Sequence, residues 1–218
     1  MFYDFLKSQM SISPQTINFV TKTEQEIAPQ YAVADDIAAI NQLKILNAMQ
    51  ECRLSDTHFN DSTGYGYNDE GRDVLEKIYA KVFKTEAALV RVQMVSGTHA
   101  LATALFGNLR PGDVLLSPVG KPYDTLESVI GIRPTPGSLA EYGVTYRQVD
   151  LLENGAFNYE EIRKALAAKP KMVTIQRSKG YAWRPSFTVE QIRELIQCIR
   201  IASPHTIILV DNCYGEFV

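Results

Sequence analysis

Apolar positions along the chain repeat with two different periods, and the change of period divides it. Val33, Ile37, Ile40, Leu43, Leu46 and Met49 recur every three or four residues, the spacing of one face of an α-helix. Ser13-Pro14 precedes them and reads as a cap followed by a first-turn proline, tolerated there because that N–H would be unpaired anyway. A polar, glycine-bearing loop is predicted over 55–71. Another helix should run from about Asn68 to Lys84, with Leu75, Ile78, Tyr79, Val82 and Phe83 inward.

Beyond that point short β-rich runs alternate with helical stretches. Strands are predicted at Ala88–Val95, Asp113–Ser117, Val144–Val149, Met172–Gln176 and Thr206–Val210. The helices between and around them are Gly97–Leu109, Tyr123–Gly131, Asn158–Ala168 and Thr188–Ala202. Two of these open with capping-box spacing, Asn158 with Glu161 and Thr188 with Gln191, in which each side chain satisfies a backbone N–H of the other. Ile192, Leu195, Ile196 and Ile199 mark the buried stripe of the last helix. Such alternation predicts an α/β fold, a mainly parallel sheet with helices on both faces. Ligands of such sheets gather outside the carboxyl ends of the strands.

Composition narrows the class of protein. The 218 residues are 45 % hydrophobic and 22 % charged, the balance of an ordinary globular chain. Lys plus Arg number 22 against 25 Asp plus Glu, a net charge of −3, so neither nucleic acid nor an anionic membrane is the expected partner. The cysteines Cys52, Cys198 and Cys213 and the histidines His58, His99 and His205 are scattered, which gives no disulfide framework and no metal-ligand spacing. Asp4 and Lys7 interrupt the apolar start of the chain, unlike a signal peptide, and the apolar runs are too short for a membrane span. The expectation is a soluble, reduced, cytoplasmic protein.

Four candidate groups follow the predicted strands. Ser96-Gly97-Thr98 opens a helix. Unpaired N–H groups and the positive helix end there suit an anion, although Ser and Thr also cap helices with no ligand present. Tyr123 stands near the start of the next helix, where its ring could cover a planar ligand or simply pack on the sheet edge. Arg177-Ser178-Lys179-Gly180-Tyr181 forms a basic, hydrogen-bonding loop at the ligand edge, or a set of merely solvated charges. Asp211 ends the last apolar strand, where an acid can cap a turn, hold magnesium or pair with a cationic ring nitrogen. Two other patterns fail. The run from Gly66 to Arg72-Asp73 lacks the Lys-Ser/Thr of a phosphate loop, and Gly64-Tyr65-Gly66 lacks the third glycine of a dinucleotide fingerprint. An anion cradle, an aromatic plate and a carboxylate at one rim suit a planar cationic ring bearing a phosphate, which points to pyridoxal phosphate.

The segments 62–72, 95–100, 121–124, 176–181 and 210–216 together resemble fold-type I pyridoxal-phosphate enzymes of the cystathionine and methionine γ-lyase kind. They resemble more closely the bacterial aluminium resistance or methionine γ-lyase family proteins, in order along essentially the whole chain. The resemblance implies an aspartate aminotransferase-like large domain over residues 61–218, after an N-terminal helical arm over 1–60. It implies that Ser96, Gly97 and Thr98 hold the cofactor phosphate, that Tyr123 stacks on the ring, and that Asp211 pairs with the ring nitrogen. Arg177 and Ser178 would line the ring's oxygen side. Tyr65 or Tyr67, and with them Arg72, would reach the neighbouring subunit of a homodimer or homotetramer with shared sites. Tyr123 and Tyr67 would also take part in catalysis. The implied activity is carbon–sulfur bond cleavage in sulfur amino acids.

In that family the lysine that carries the cofactor follows the ring-nitrogen aspartate by a few dozen residues, whereas Val218 is the last residue here. Neither Lys121 nor Lys179 stands at that lysine's place. The expectation is therefore a C-terminally truncated chain that binds the cofactor weakly and turns over nothing. Two alternatives belong to other classes. One is a nucleotide-binding protein with Asp211 as a magnesium ligand. The other is a non-catalytic partner that dimerises through the Tyr65–Arg72 loop.

Overall fold

In a computed structural model, which describes residues 2–67 and 69–217, the chain divides into two compact units. One is Met1–Val90 with Phe217–Val218, the other Arg91–Glu216.

The first unit is helical: α1 (Phe2–Ser8), the 38-residue α2 (Pro14–Glu51), a 3-10 turn at Asp56–Phe59, and α3 (Glu70–Phe83). Ser13 caps α2 as predicted, its hydroxyl accepting the Thr16 N–H at 3.1 Å. The predicted start of α3 at Asn68 lies outside the described residues. The helix is capped by Asp69, whose carboxylate accepts the Arg72 N–H at 3.1 Å and pairs with its guanidinium at 3.2 Å. Val74, Ile78 and Val82 form the buried stripe of α3 and pack on Ile45, Ala48 and Met49 of α2. Leu75, Tyr79 and Phe83, expected inward, are exposed. The seam between two helices takes one narrow stripe at i, i+4 spacing, and these three flank it. Val33, Ile37, Ile40, Leu43 and Leu46 lie on α2 as predicted but are 40–66 % exposed.

The second unit carries the sheet. Its strands are β1 (Val114–Ser117), β2 (Thr145–Gln148), β3 (Met172–Gln176) and β4 (Ile207–Asp211), all parallel in the order β2-β1-β3-β4. Its helices are α4 (Gly97–Asn108), α5 (Asp124–Ile130), α6 (Tyr159–Leu166) and α7 (Val189–Ala202). Side chains alternate between two cores. Leu115 and Met172 face Leu105 of α4 and Leu126 and Ile130 of α5. Their strand neighbours Leu116 and Val173 face Ile162 and Leu166 of α6 and Leu195 and Ile199 of α7. Every residue of β3 is buried, as a parallel strand covered on both faces requires.

Two sequence expectations are corrected here. Ala88–Val95 forms no strand: a turn closes from Met94 N–H to the Arg91 carbonyl, and Leu89, Val92 and Val95 are 61–88 % exposed. Its β-rich composition is not enough, because a strand exists only through a paired neighbour, and the described sheet pairs four other segments. At Asn158 only half of the capping box forms. Its side chain accepts the Glu161 N–H, but the Glu161 carboxylate turns to Lys164 at 2.7 Å. The Thr188–Gln191 box is complete. Among the described residues no helix is long and apolar enough to cross a membrane.

Candidate functional site at the carboxyl ends of the strands

Loops leaving β1, β3 and β4 meet the start of α4 at one rim of the second unit. Ser96 is the extended N-cap of α4, and its hydroxyl accepts the His99 N–H at 3.1 Å. The N–H groups of Gly97 and Thr98 make no hydrogen bond among the described residues. They emerge at the positive end of a 12-residue helix. A Cβ built on Gly97 meets nothing within 4 Å, so no neighbouring atom crowds the side of Gly97 that would carry a side chain. Thr98 Oγ1 lies 2.9 Å from Thr125 Oγ1 in the first turn of α5. The amino ends of α4 and α5 therefore share one corner.

Tyr123 is the N-cap residue of α5 and is positioned through its backbone. Its N–H donates to Gln176 Oε1 at 2.7 Å, at the end of β3. Its half-buried ring faces Tyr181, with centroids 5.8 Å apart and planes inclined by 33°. The phenol is raised above its ordinary value, first by its hydrogen bond with Tyr181 and then by the charge of that group.

Asp211 ends β4 directly opposite Gln176 in the parallel register, on neighbouring strands roughly 5 Å apart. Its Oδ1 accepts the Cys213 N–H at 3.1 Å, and its carbonyl accepts the Arg177 N–H at 2.9 Å. One carboxylate oxygen thus closes a turn. Burial, then the charges of Asp211 and Glu216, push the Cys213 thiol up.

The loop after β3 ties these pieces together. Arg177 donates from Nε to the Phe187 carbonyl at 3.1 Å, and from Nη1 to Asn212 Oδ1 at 2.8 Å and the Gly215 carbonyl at 2.7 Å. The Ser178 carbonyl accepts from Gln176 Nε2 at 3.1 Å and from Arg184 Nη2 at 2.8 Å. Burial lowers the affinity of Arg184 for its proton, and its guanidinium lies 4.3 Å over the Phe187 ring. Lys121 pairs with Glu127 at 2.9 Å, and Lys179 is exposed.

Ser96, Gly97, Thr98, Tyr123, Arg177, Ser178 and Asp211 accordingly all sit at this one rim. Tyr65 and Tyr67 belong to the helical unit, in the loop before α3, and are 82 % and 83 % exposed. Thr125 and Gln176 join the site without a role assigned from the sequence, and Tyr181, part of the predicted loop, lies against Tyr123. For Gln176 a signal existed: it is the polar last residue of a strand that otherwise reads Met172-Val173-Thr174-Ile175.

Known proteins resemble this chain over most of its length. A model of the family described as methionine gamma-lyase matches residues 16–218. A Listeria innocua structure described as a "putative cystathionine beta-lyase involved in aluminum resistance" is 55 % identical, with a TM-score of 0.88 over 94 % of this chain and 50 % of that one. A Clostridium novyi structure, described as a carbon-sulfur lyase involved in aluminum resistance, is 48 % identical, with a TM-score of 0.91 over 99 % of this chain and 51 % of that one. The Bacillus subtilis protein YnbB, which is uncharacterized, is 49 % identical over 90 % of this chain and 47 % of its own length. The chain thus spans about half the length of these relatives. With the family model matching from α2 to the last residue and with the shared parallel sheet, the chain belongs to the methionine gamma-lyase family.

Proposed function

We propose that this chain forms the cofactor-holding part of a pyridoxal-phosphate-dependent lyase that cleaves carbon–sulfur bonds in sulfur amino acids. The observation that carries this is the convergence of three unlike groups at one rim. The N–H groups of Gly97 and Thr98 make no hydrogen bond among the described residues, Tyr123 is fixed at the adjoining helix start, and Asp211 lies beside the residue that fixes it.

These residues fit the cofactor by their chemistry. Two N–H groups and the Thr98 hydroxyl at a helix amino end suit a phosphate dianion. The Tyr123 ring offers a face to a flat heterocycle. Asp211 keeps one carboxylate oxygen in its turn and can present the other to a protonated ring nitrogen. Bound in this way, the cofactor supplies an electron sink for bond breaking at carbons next to the substrate amino group. Ser96 orders the phosphate cradle by capping α4, and Arg177 holds the segment after Asp211 in place. The lysine that carries the cofactor is neither Lys121 nor Lys179 in this proposal, and it belongs to the second half of a full-length enzyme. Tyr65 and Tyr67, on their exposed loop, are the groups proposed to complete a neighbouring copy's site.

Titration with pyridoxine 5′-phosphate and pyridoxine tests the proposal. The two ligands present the ring with and without phosphate and carry no aldehyde to react with surface lysines. Saturable binding that depends on the phosphate, with no thermal stabilisation by magnesium and ATP, is the expected result. Stabilisation by magnesium and ATP with no binding of the ring ligands would transfer the site to nucleotides.

A further inference from the structure

Gln176 lies at the middle of the rim and makes no contact that the proposed chemistry uses directly. It is 8 % exposed, and both ends of its amide are engaged. Oε1 accepts the Tyr123 N–H at 2.7 Å, and Nε2 donates to the Ser178 carbonyl at 3.1 Å. One side chain therefore links the start of α5 to the loop after β3. Its own backbone pairs in register with Asp211, so plate and carboxylate are referred to a single residue. The loop it holds then presses on the plate. Gly180 has φ +55°, and a Cβ added there would come within 3.2 Å of Tyr123 Cδ2 and 3.5 Å of Gln176 Nε2. Arg184 secures the same loop, donating from Nη2 to the carbonyls of both Gln176 and Ser178.

Only an amide satisfies both partners. A carboxylate would accept from Tyr123 but face the Ser178 carbonyl with a second acceptor, and an aliphatic side chain would leave a donor and an acceptor without partners. The phosphate cradle is built separately, from Ser96 and the first turn of α4, and touches Gln176 nowhere among the described contacts.

We infer that Gln176 is the positioning residue of the cofactor ring: it sets the plane of Tyr123 relative to Asp211, and Gly180 is the space that lets the plate lie there. The inference rests on the pyridoxal-phosphate assignment above and adds to it the device that orients the ring. It separates ring orientation from phosphate capture, and this separation makes it testable.

The experiment measures pyridoxine 5′-phosphate and pyridoxine binding to the 218-residue chain, its Gln176→Leu variant and its Gly180→Ala variant. The near-ultraviolet dichroism of the bound ring is recorded alongside. In Gln176→Leu both ligands should weaken by about the same factor, tenfold or so, and the induced dichroism should shrink or change sign. The affinity ratio between the two ligands should stay at its parental value, because the cradle is intact. A purely structural role would instead lower the melting temperature without changing the dichroism of the protein that remains folded. Unchanged affinity and dichroism in Gln176→Leu overturns the inference and leaves the cofactor assignment standing. Absence of binding by the parent chain overturns the cofactor assignment and with it this inference. Should Gln176→Leu melt below the assay temperature, the exposed Gly180→Ala variant decides alone: altered dichroism supports the inference, and a parental signal overturns it.

Discussion

Replacing Thr98 by valine removes one hydroxyl while keeping the shape of the side chain, and its two consequences differ in size. In the free protein the hydroxyl shares one hydrogen bond with Thr125 at 2.9 Å. An intramolecular hydrogen bond contributes about 0.5–1.5 kcal/mol net, and half exposure places this one near the lower end. The melting temperature should fall by only about 1–2 °C. A hydroxyl donating to a phosphate dianion contributes about 1.5–3 kcal/mol, so the same substitution should weaken pyridoxine 5′-phosphate roughly 10- to 150-fold. Pyridoxine lacks the phosphate and should bind the variant as it binds the parent. Calorimetric titration of both ligands against both proteins gives the answer in one series. An equal loss for the two ligands would refute the phosphate contact, since Thr98 would then act on the ring or on the fold. No loss for either would remove Thr98 from the site.

Two further predictions concern stability. Burial pushes the phenol of Tyr146 on β2 up to about 12, whereas an unfolded phenol titrates near 10. The native state holds its proton longer, so the stabilisation is complete below about pH 10 and lost as pH rises towards 12. Two units are worth at most about 2.7 kcal/mol, and about 1–2 kcal/mol once the partial exposure of the ring is allowed for. Urea unfolding across that window should show the decline, and Tyr146→Phe should flatten it; an equally steep decline in the variant would assign the slope to other groups. In the helical unit, a Cβ on Gly71 would overlap the His58 carbonyl oxygen of the 3-10 turn. Gly71→Ala should therefore destabilise that unit by about 1–3 kcal/mol, the usual cost of overpacking. An unchanged helical melting curve would contradict the close approach of α3 to that turn.

Elements whose signals are local can be read from residue order alone. Caps, periods and loop residues act within one or two turns, so Ser13, Thr188 and the stripe Ile192, Leu195 and Ile199 were legible and lie where the pattern put them. Alternation of strands and helices also implied a parallel sheet, and with it the rim where Ser96, Tyr123 and Asp211 stand. Their residue types were legible as well and suggest the cofactor that stands as a proposal, because an anion cradle, a ring and a carboxylate have few common partners.

Tertiary structure decided whatever depends on a distant neighbour. Ala88–Val95 has strand composition, yet a strand requires a partner from elsewhere in the chain, and the described sheet supplies none for it. The outward flanks of α3 and the exposed face of α2 depend on which single stripe the helix seam admits. Whether Glu161 completed its capping box was settled by competition with Lys164. The role of Gln176 was the least legible of all. Its two partners are 53 and two residues away, and an amide becomes a clamp only when folding brings a particular donor and acceptor to its two ends.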